Sequence, residues 1–324
     1  MATMTESPSA TGIRRAHEFH AEAHVLSGEL QRPIQQKIEP HVPVSLRDER
    51  GGHLTRFTED VSIEGLITFE TGHTRVSGSK SLKHHGWVTL STSILEGLNV
   101  FEIITADRMV AQVSTDHPYE SGHVPHVTFL GTKFENLQVG GFPLKVNLNL
   151  DVCGKKPNGD KSYLTNSTFL EDLKKRTTSI ARAGFLPETL RKQYDDRLAE
   201  IKAILDSKGE IEPHQDKPVK VTCSLIESID IKGIPIPGLE TVGNLLVIPN
   251  FGAVALAEIE VGVEKTKPNN GFKRQAPEPK GLSNNGNSRL SNYFQLKMLN
   301  MELGCVGHGS ISANTVKSNG NTYP

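Results

Sequence analysis

Strict alternation between residues 144 and 152 limits how this chain can fold more than any other feature. Leu144, Val146, Leu148, Leu150 and Val152 take every second position, and Lys145, Asn147, Asn149 and Asp151 stand between them. A period of two belongs to a strand with one face in a core and the other in water. The same period runs through Val88, Leu90, Thr92 and Ile94, and again through Met109, Ala111 and Val113. Gly, Asn, Asp and Pro interrupt these runs roughly every ten residues, as turns do in an antiparallel sandwich or barrel. The predicted fold class is mainly β: an antiparallel β-sandwich with duplicated half-sheets as one form of it, an inserted helical hairpin and an N-terminal helical arm.

The rest of the chain is divided around these strands. Residues 1–12 are small and polar and are expected to be disordered. Residues 13–60 read as a helix followed by an extended arm. Ala16, Phe19, Ala23, Leu26 and Leu30 fall at helical spacing over 13–31, and Pro33, Pro40 and Pro43 then force extended backbone. Residues 61–152 form the first β segment, and 153–218 interrupt it with a helical hairpin. Phe169, Leu173, Thr177 and Ile180 make one helical stripe, which Gly184 breaks. Pro187 and Glu188 open a second helix, striped by Leu190, Tyr194, Leu198, Ile201 and Leu205. Residues 219–316 return to strand texture as the second β segment of the same sandwich. Within it, 264–292 is rich in Asn, Gly, Pro, Lys and Ser and is expected to be a flexible loop. The apolar phase of 294–303 slips after Met298, as a β-bulge would make it do. Residues 317–324 read as a polar tail.

Charge and cysteine content narrow the function classes. The 324 residues carry 36 Lys and Arg against 37 Asp and Glu, a net charge of -1. That balance excludes the basic face of a nucleic-acid binder and a polybasic membrane anchor. No apolar run is long enough for a transmembrane helix. The first residues hold no apolar signal core, so the expected location is cytoplasmic, with surface association by a non-classical route left open. Cys153, Cys223 and Cys305 are too few and too scattered for a disulfide framework. They read as buried reduced thiols, with a single Cys153–Cys223 bridge at the base of the insertion as the alternative.

Two segments share one pattern. Phe134-Glu135-Asn136-Leu137-Gln138-Val139-Gly140-Gly141-Phe142-Pro143-Leu144 matches Ile226-Glu227-Ser228-Ile229-Asp230-Ile231-Lys232-Gly233-Ile234-Pro235-Ile236 at every apolar position. A strand, a tight turn at Gly141 or Gly233 and a returning strand opened by Pro143 or Pro235 accounts for both. Glu135 and Glu227 as paired carboxylates is the functional alternative. The Cys223 strand, the Ile229–Ile236 turn, Val247-Ile248-Pro249-Asn250-Phe251-Gly252 and Leu299-Asn300-Met301-Glu302-Leu303 resemble choice-of-anchor type bacterial surface β-domains. Gly97-Leu98-Asn99-Val100, Thr105-Ala106-Asp107 and Gln112-Val113-Ser114-Thr115 are similar to the middle of those domains, and the chain also resembles uncharacterised bacterial β-rich proteins. The resemblance implies a β-sandwich and a bacterial source, and it carries over no catalytic residue.

The histidines are the remaining candidates. His17, His20 and His24 would share one face of the predicted first helix. His117, His123 and His126 crowd a loop between strands, where Asp116 or Glu120 would orient an imidazole and three rings would hold one zinc ion. His84-His85-Gly86-Trp87 is a second such loop, its tryptophan read as a core anchor. No nucleophile elbow, phosphate-binding loop or dinucleotide fingerprint is present. The expectation is therefore a non-enzymatic binding or structural protein acting through a protein partner or homo-oligomer, with the N-terminal arm and the hairpin as contact surfaces. It needs no cofactor. The alternatives are a hydrolase-like metal enzyme using His117, His123 and His126, and a carrier of a small apolar ligand.

Overall fold

The computed structural model describes residues 16–81, 86–118, 124–158, 161–207, 213, 217–266, 289–304 and 308–323. In chain order the strands are β1 (Ala16–Arg32), β2 (Gln36–His41), β3 (Val44–Asp48), β4 (Gly52–Ile63), β5 (Ile67–Ser81), β6 (Gly86–Val100) and β7 (Ile104–Pro118). Short strands follow: β8 (His126–Thr128), β9 (Lys133–Glu135), β10 (Gln138–Val139), β11 (Phe142–Pro143) and β12 (Lys145–Leu148). After helices α1 (Ser167–Ala181) and α2 (Glu188–Asp206) come β13 (Val219–Ser224), β14 (Ile226–Asp230), β15 (Glu240–Val242) and β16 (Leu245–Ile248). The long strands β17 (Gly252–Thr266), β18 (Arg289–Leu303) and β19 (His308–Tyr323) close the chain.

Antiparallel pairing assembles these strands into two large sheets. The first runs β15, β16, β17, β18, β19, β1, β2, with β13 also on β17 and β3 also on β1. The second runs β11, β10, β7, β6, β5, β4, with β8 and β9 also on β7. A two-stranded piece pairs β12 with β14. The molecule is the mainly-β antiparallel sandwich with a helical insertion that the alternation predicts. The signature run 144–152 itself keeps its ladder only to Leu148, and residues 150–153 turn.

Where a helix is expected over 13–31, residues 16–31 belong to β1 instead, a central strand between β19 on one side and β2 and β3 on the other, and 13–15 lie outside the described residues. Phe19, Ala21, Ala23 and Val25 are buried in strict alternation, and then Leu26 and Leu30 are buried in the opposite phase. Of the polar tail expected at 317–324, residues 317–323 are likewise strand, because β19 pairs with β1 out to Tyr323.

That change of phase in β1 belongs to a line crossing the whole first sheet. The register sets Ala257, Met298, Asn314 and Val25 side by side on β17, β18, β19 and β1, with no ladder bridge at any of them. All four are fully buried, and each is followed or preceded by a second inward residue: Leu256, Leu299, Ala313 and Leu26. Ala257 and Asn314 hold positive φ of 44° and 48°, and Val42, next in line, holds 53°. The second sheet repeats the device at Asp60, Glu70, Gly97, Asp107 and Asn136, where Asp60, Gly97 and Asn136 have φ of 51°, 63° and 48°. Alternate strands thus enter the left-handed region and the pleat inverts along a straight line. The slip after Met298 is this fold line and not the β-bulge expected there, since both ladders of β18 keep their register across it.

The lines separate two kinds of interior. On one side many of the facing residues are small, namely Ala21, Ala23, Gly72, Gly78, Ser91, Ser93, Thr115, Ser318 and Gly320, with Phe19, Val76 and Trp87 among them. There the Cα atoms of β1 and β6, and of β19 and β7, come within 8 Å of each other, closer than the ~10 Å of an ordinary apolar sandwich. Ser91 Oγ donates to Glu22 O at 2.6 Å and Ser93 Oγ to His24 O at 3.0 Å, tying one sheet to the main chain of the other. On the other side Leu26, Leu30, Ile67, Phe69, Leu98, Ile104 and Met301 fill a wider core.

The helical hairpin forms as predicted. Asn166 Oδ1 caps α1 by accepting from Phe169 N at 3.2 Å, and Phe169, Leu173, Thr177 and Ile180 are its buried stripe. Ile180, Leu190 and Tyr194 pack on Leu245, Ala253 and Ala255, so the hairpin covers part of the outer face of the first sheet. Among the described residues no helix is long and apolar enough to cross a membrane, which says nothing of strands.

Candidate functional site

The strand β1 rearranges the first histidine group. Alternation turns His17 inward and His20 and His24 outward, so the three share no face. His20 Nε2 meets Glu22 Oε1 at 2.8 Å, and that hydrogen bond holds the Glu22 carboxyl below its usual range. His24 Nε2 lies 2.9 Å from Ser27 Oγ, and burial together with Lys297 pushes its pKa down to about 4. His17 is packed inside the sandwich against Phe19, Trp87 and His117, with ring centroids 4.6, 5.2 and 4.7 Å away. Burial, then the neighbouring His117, lowers the His17 pKa to about 2. Trp87 is the core anchor read from the sequence, at 6% exposure.

The second group is split as well. His117 points inward from β7 and is completely buried. His126 pairs with Asp116 across the β7–β8 ladder, so it shares the outer face with Asp116 and is exposed. His117 and His126 therefore lie on opposite faces of one sheet. His123, Glu120, His84 and His85 lie outside the described residues. Among the described residues no three His, Cys, Asp or Glu side chains are arranged to hold a metal ion.

The paired segments also part company. Gly140 and Gly141, with φ of 57° and 80°, turn β10 into β11, and Pro143 sits in β11 as read. Gly233 takes φ of 82°, but the strand before it, β14, pairs with β12 instead of returning on itself through Pro235. Glu135 is paired with Lys133 on the surface, and Glu227 is exposed at the edge of a different cavity.

That cavity belongs to a groove the sequence reasoning did not reach. Beneath α1 lie two adjoining hollows of about 280 and 130 Å³, which share Leu173, Arg176 and Cys223 as lining. Asp151, Asn166, Thr168 and Asp172 edge the larger one, and Cys153 lines it together with Cys223. In the smaller one Arg197 Nη1 donates to Glu258 Oε1 at 2.9 Å, and its guanidinium stacks 4.7 Å above the Tyr194 ring. Cys153 and Cys223 are both buried thiols. A hydrogen bond between them, then burial, pushes the Cys153 thiol well above its ordinary value. The two cysteines do meet at the base of the insertion, as the bridge alternative placed them, but as the buried reduced thiols of the main reading.

A second unassigned feature is the free edge of the second sheet. Among the described residues β4 pairs only with β5. Nearly all of its residues are exposed or partly exposed, and Leu54 and Phe57 stand 43% and 57% exposed.

A family model described as Domain of unknown function (DUF8256) matches residues 17–262, from β1 through most of β17. No curated protein and no solved structure matches the chain.

Proposed function

The chain belongs to that family, whose description carries no activity, and we propose from the geometry that it is a non-enzymatic β-sandwich that associates with a second copy of itself through β4. The observation that carries the reading is the open edge: twelve residues of strand whose outer side is unpaired among the described residues. Open edges invite another strand unless charge or proline blunts them. β4 has no proline, and its charges suit its own antiparallel copy. A pairing centred between Phe57 and Thr58 sets Arg56 opposite Glu59 twice and Leu54 opposite Val61 twice. A net charge of -1 leaves little long-range repulsion between copies. The contact surface is thus β4 and not the N-terminal segment, which is consumed by β1 inside the first sheet.

Light scattering on the eluting size-exclusion peak tests this reading. The expected species is a dimer for the native chain and a monomer for Arg56→Glu or Glu59→Arg alone. The double exchange Arg56→Glu with Glu59→Arg restores the dimer, because the cross-strand pairs re-form with their signs reversed. A native monomer at tens of micromolar, or a double exchange that stays monomeric, overturns it.

A further inference from the structure

Cys153 and Cys223 stand 70 positions apart on either side of the hairpin insertion, and the chain brings them to one place by ordinary strand pairing. The β12–β14 ladder sets Leu148 opposite Ile226. Beyond it, Asn149 N donates to Leu225 O at 2.7 Å, so the segments bearing the two cysteines run against each other at the root of the insertion. Cys153 lies in the turn that follows, and Cys223 lies near the end of β13. Both thiols line the cavity of about 280 Å³ that opens between α1 and the sheets.

We propose that Cys153 and Cys223 are a redox pair that undergoes thiol–disulfide exchange with a low-molecular-weight disulfide such as oxidised glutathione, admitted through the groove under α1. The exchange runs in two balanced steps. The Cys223 thiolate attacks one sulfur of the small disulfide, forming a mixed disulfide on Cys223 and releasing one small thiolate. That thiolate takes the proton of Cys153, whose sulfur then attacks the mixed disulfide at Cys223. The second small thiol leaves, and the Cys153–Cys223 bond remains. Two protein thiols are oxidised and one small disulfide is reduced to two thiols.

The order of attack follows from position in the groove. Cys223 lines both hollows, whereas Cys153 lines only the larger one and sits deeper, at 2% exposure against 8%. Because the thiolate and not the thiol is the nucleophile, the exchange runs faster in base. The product ties residue 153 to residue 223 and fixes both ends of the insertion, with α1 held over its groove.

The experiment uses the full-length folded protein with Cys305→Ser, incubated with oxidised glutathione at pH 7.0 and at pH 8.5. It is then quenched, alkylated under denaturing conditions and read by intact mass and peptide mapping. The expected product has lost two hydrogens, takes no alkyl group at Cys153 or Cys223, and forms faster at the higher pH. Cys153→Ser is expected to stop at one glutathione adduct on Cys223, and Cys223→Ser to give neither adduct nor bridge. Two outcomes overturn the proposal: a folded protein in which both thiols stay alkylatable throughout, or one carrying separate adducts on both without an internal bond. The mapping on the otherwise native chain decides the question even if a serine variant fails to fold.

Discussion

A histidine is an unusual filler for a narrow interior, and at His17 the sandwich accepts one only in its neutral form. The ring is wedged among Phe19, Trp87 and His117, with its pKa lowered to about 2 by burial and by His117. His24 on the outer face is lowered to about 4 by burial and Lys297. Above pH 6.5 these rings are neutral whether the chain is folded or not, and stability does not depend on them. Below it the unfolded chain binds protons that the folded chain refuses, so stability falls continuously as pH falls through the window from 6.5 toward 4. The two rings together predict a loss of about 4 kcal/mol between pH 7.5 and pH 5. Urea titrations across that range check it, and His24→Gln should remove about half of the slope. The close approach of the sheets gives a second prediction at this scale. A Cβ added at Gly78 would sit 2.5 Å from Phe19 Cγ, whereas one at Gly184 meets nothing within 4 Å. Gly78→Ala is expected to cost about 2 kcal/mol by overpacking, against a few tenths of either sign for Gly184→Ala. Equal melting temperatures for the two variants would refute the tight spacing.

The fold lines explain at the scale of the element both what could be read in the sequence and what misled. In β18 the pattern Phe294, Leu296, Met298, Leu299, Met301, Leu303 shows its slip openly, because alternation is long on both sides of it. In β1 the same slip falls between Val25 and Leu26, and it converts spacings of two into Phe19, Ala23, Leu26, Leu30. Those gaps of four, three and four imitate a helix when the alanines between are discounted, and alanine itself favours helix over strand. The helical hairpin was legible because its stripe runs uninterrupted and its breaks are Gly184 and Pro187. The meeting of the two cysteines was legible from their positions at the ends of the insertion, but the groove around them was not, because its walls are brought together by α1 and the β12–β14 pairing, which no local pattern announces. Asn314 is the residue that fixes the line in β19. It holds φ of 48°, donates through Nδ2 to Met109 O at 2.7 Å and accepts from Ser93 Oγ at 3.2 Å, all inside the core. Asn314→Ala loses both buried bonds and places an alanine in the left-handed region, for an expected cost of about 3 kcal/mol. Asn314→Gly restores backbone freedom but not the bonds, so it should lie between the alanine variant and the native chain in a denaturant series. An alanine variant as stable as the native chain would deny the fold line its anchor.

The whole molecule is closed by strands far apart in sequence. β1 pairs with β19 from Ala16↔Tyr323 to Arg32↔His308, and β19 passes the ladder through β18 to β17. The matched family region ends at residue 262, yet the strands that join its two halves within the first sheet, β18 and β19, come after it. Without them that sheet falls into β13, β15, β16 and β17 on one side and β1, β2 and β3 on the other. Each remnant would expose an inner face and a long unpaired edge to water. The apolar rows of β18 and β19, from Phe294 to Leu303 and from Ile311 to Val316, supply much of the packing for Met109, Ala111 and Val113 on β7. A chain cut after Thr266 is therefore expected to lack a cooperative thermal transition and to self-associate through the exposed edges of β17 and β1. The native chain should unfold in one transition, because no element of the first sheet is stable without the contribution of the last two strands. A sharp, reversible transition in the truncated chain, at a temperature near that of the full one, would mean that the matched region is a self-sufficient domain and that β18 and β19 are an addition to it.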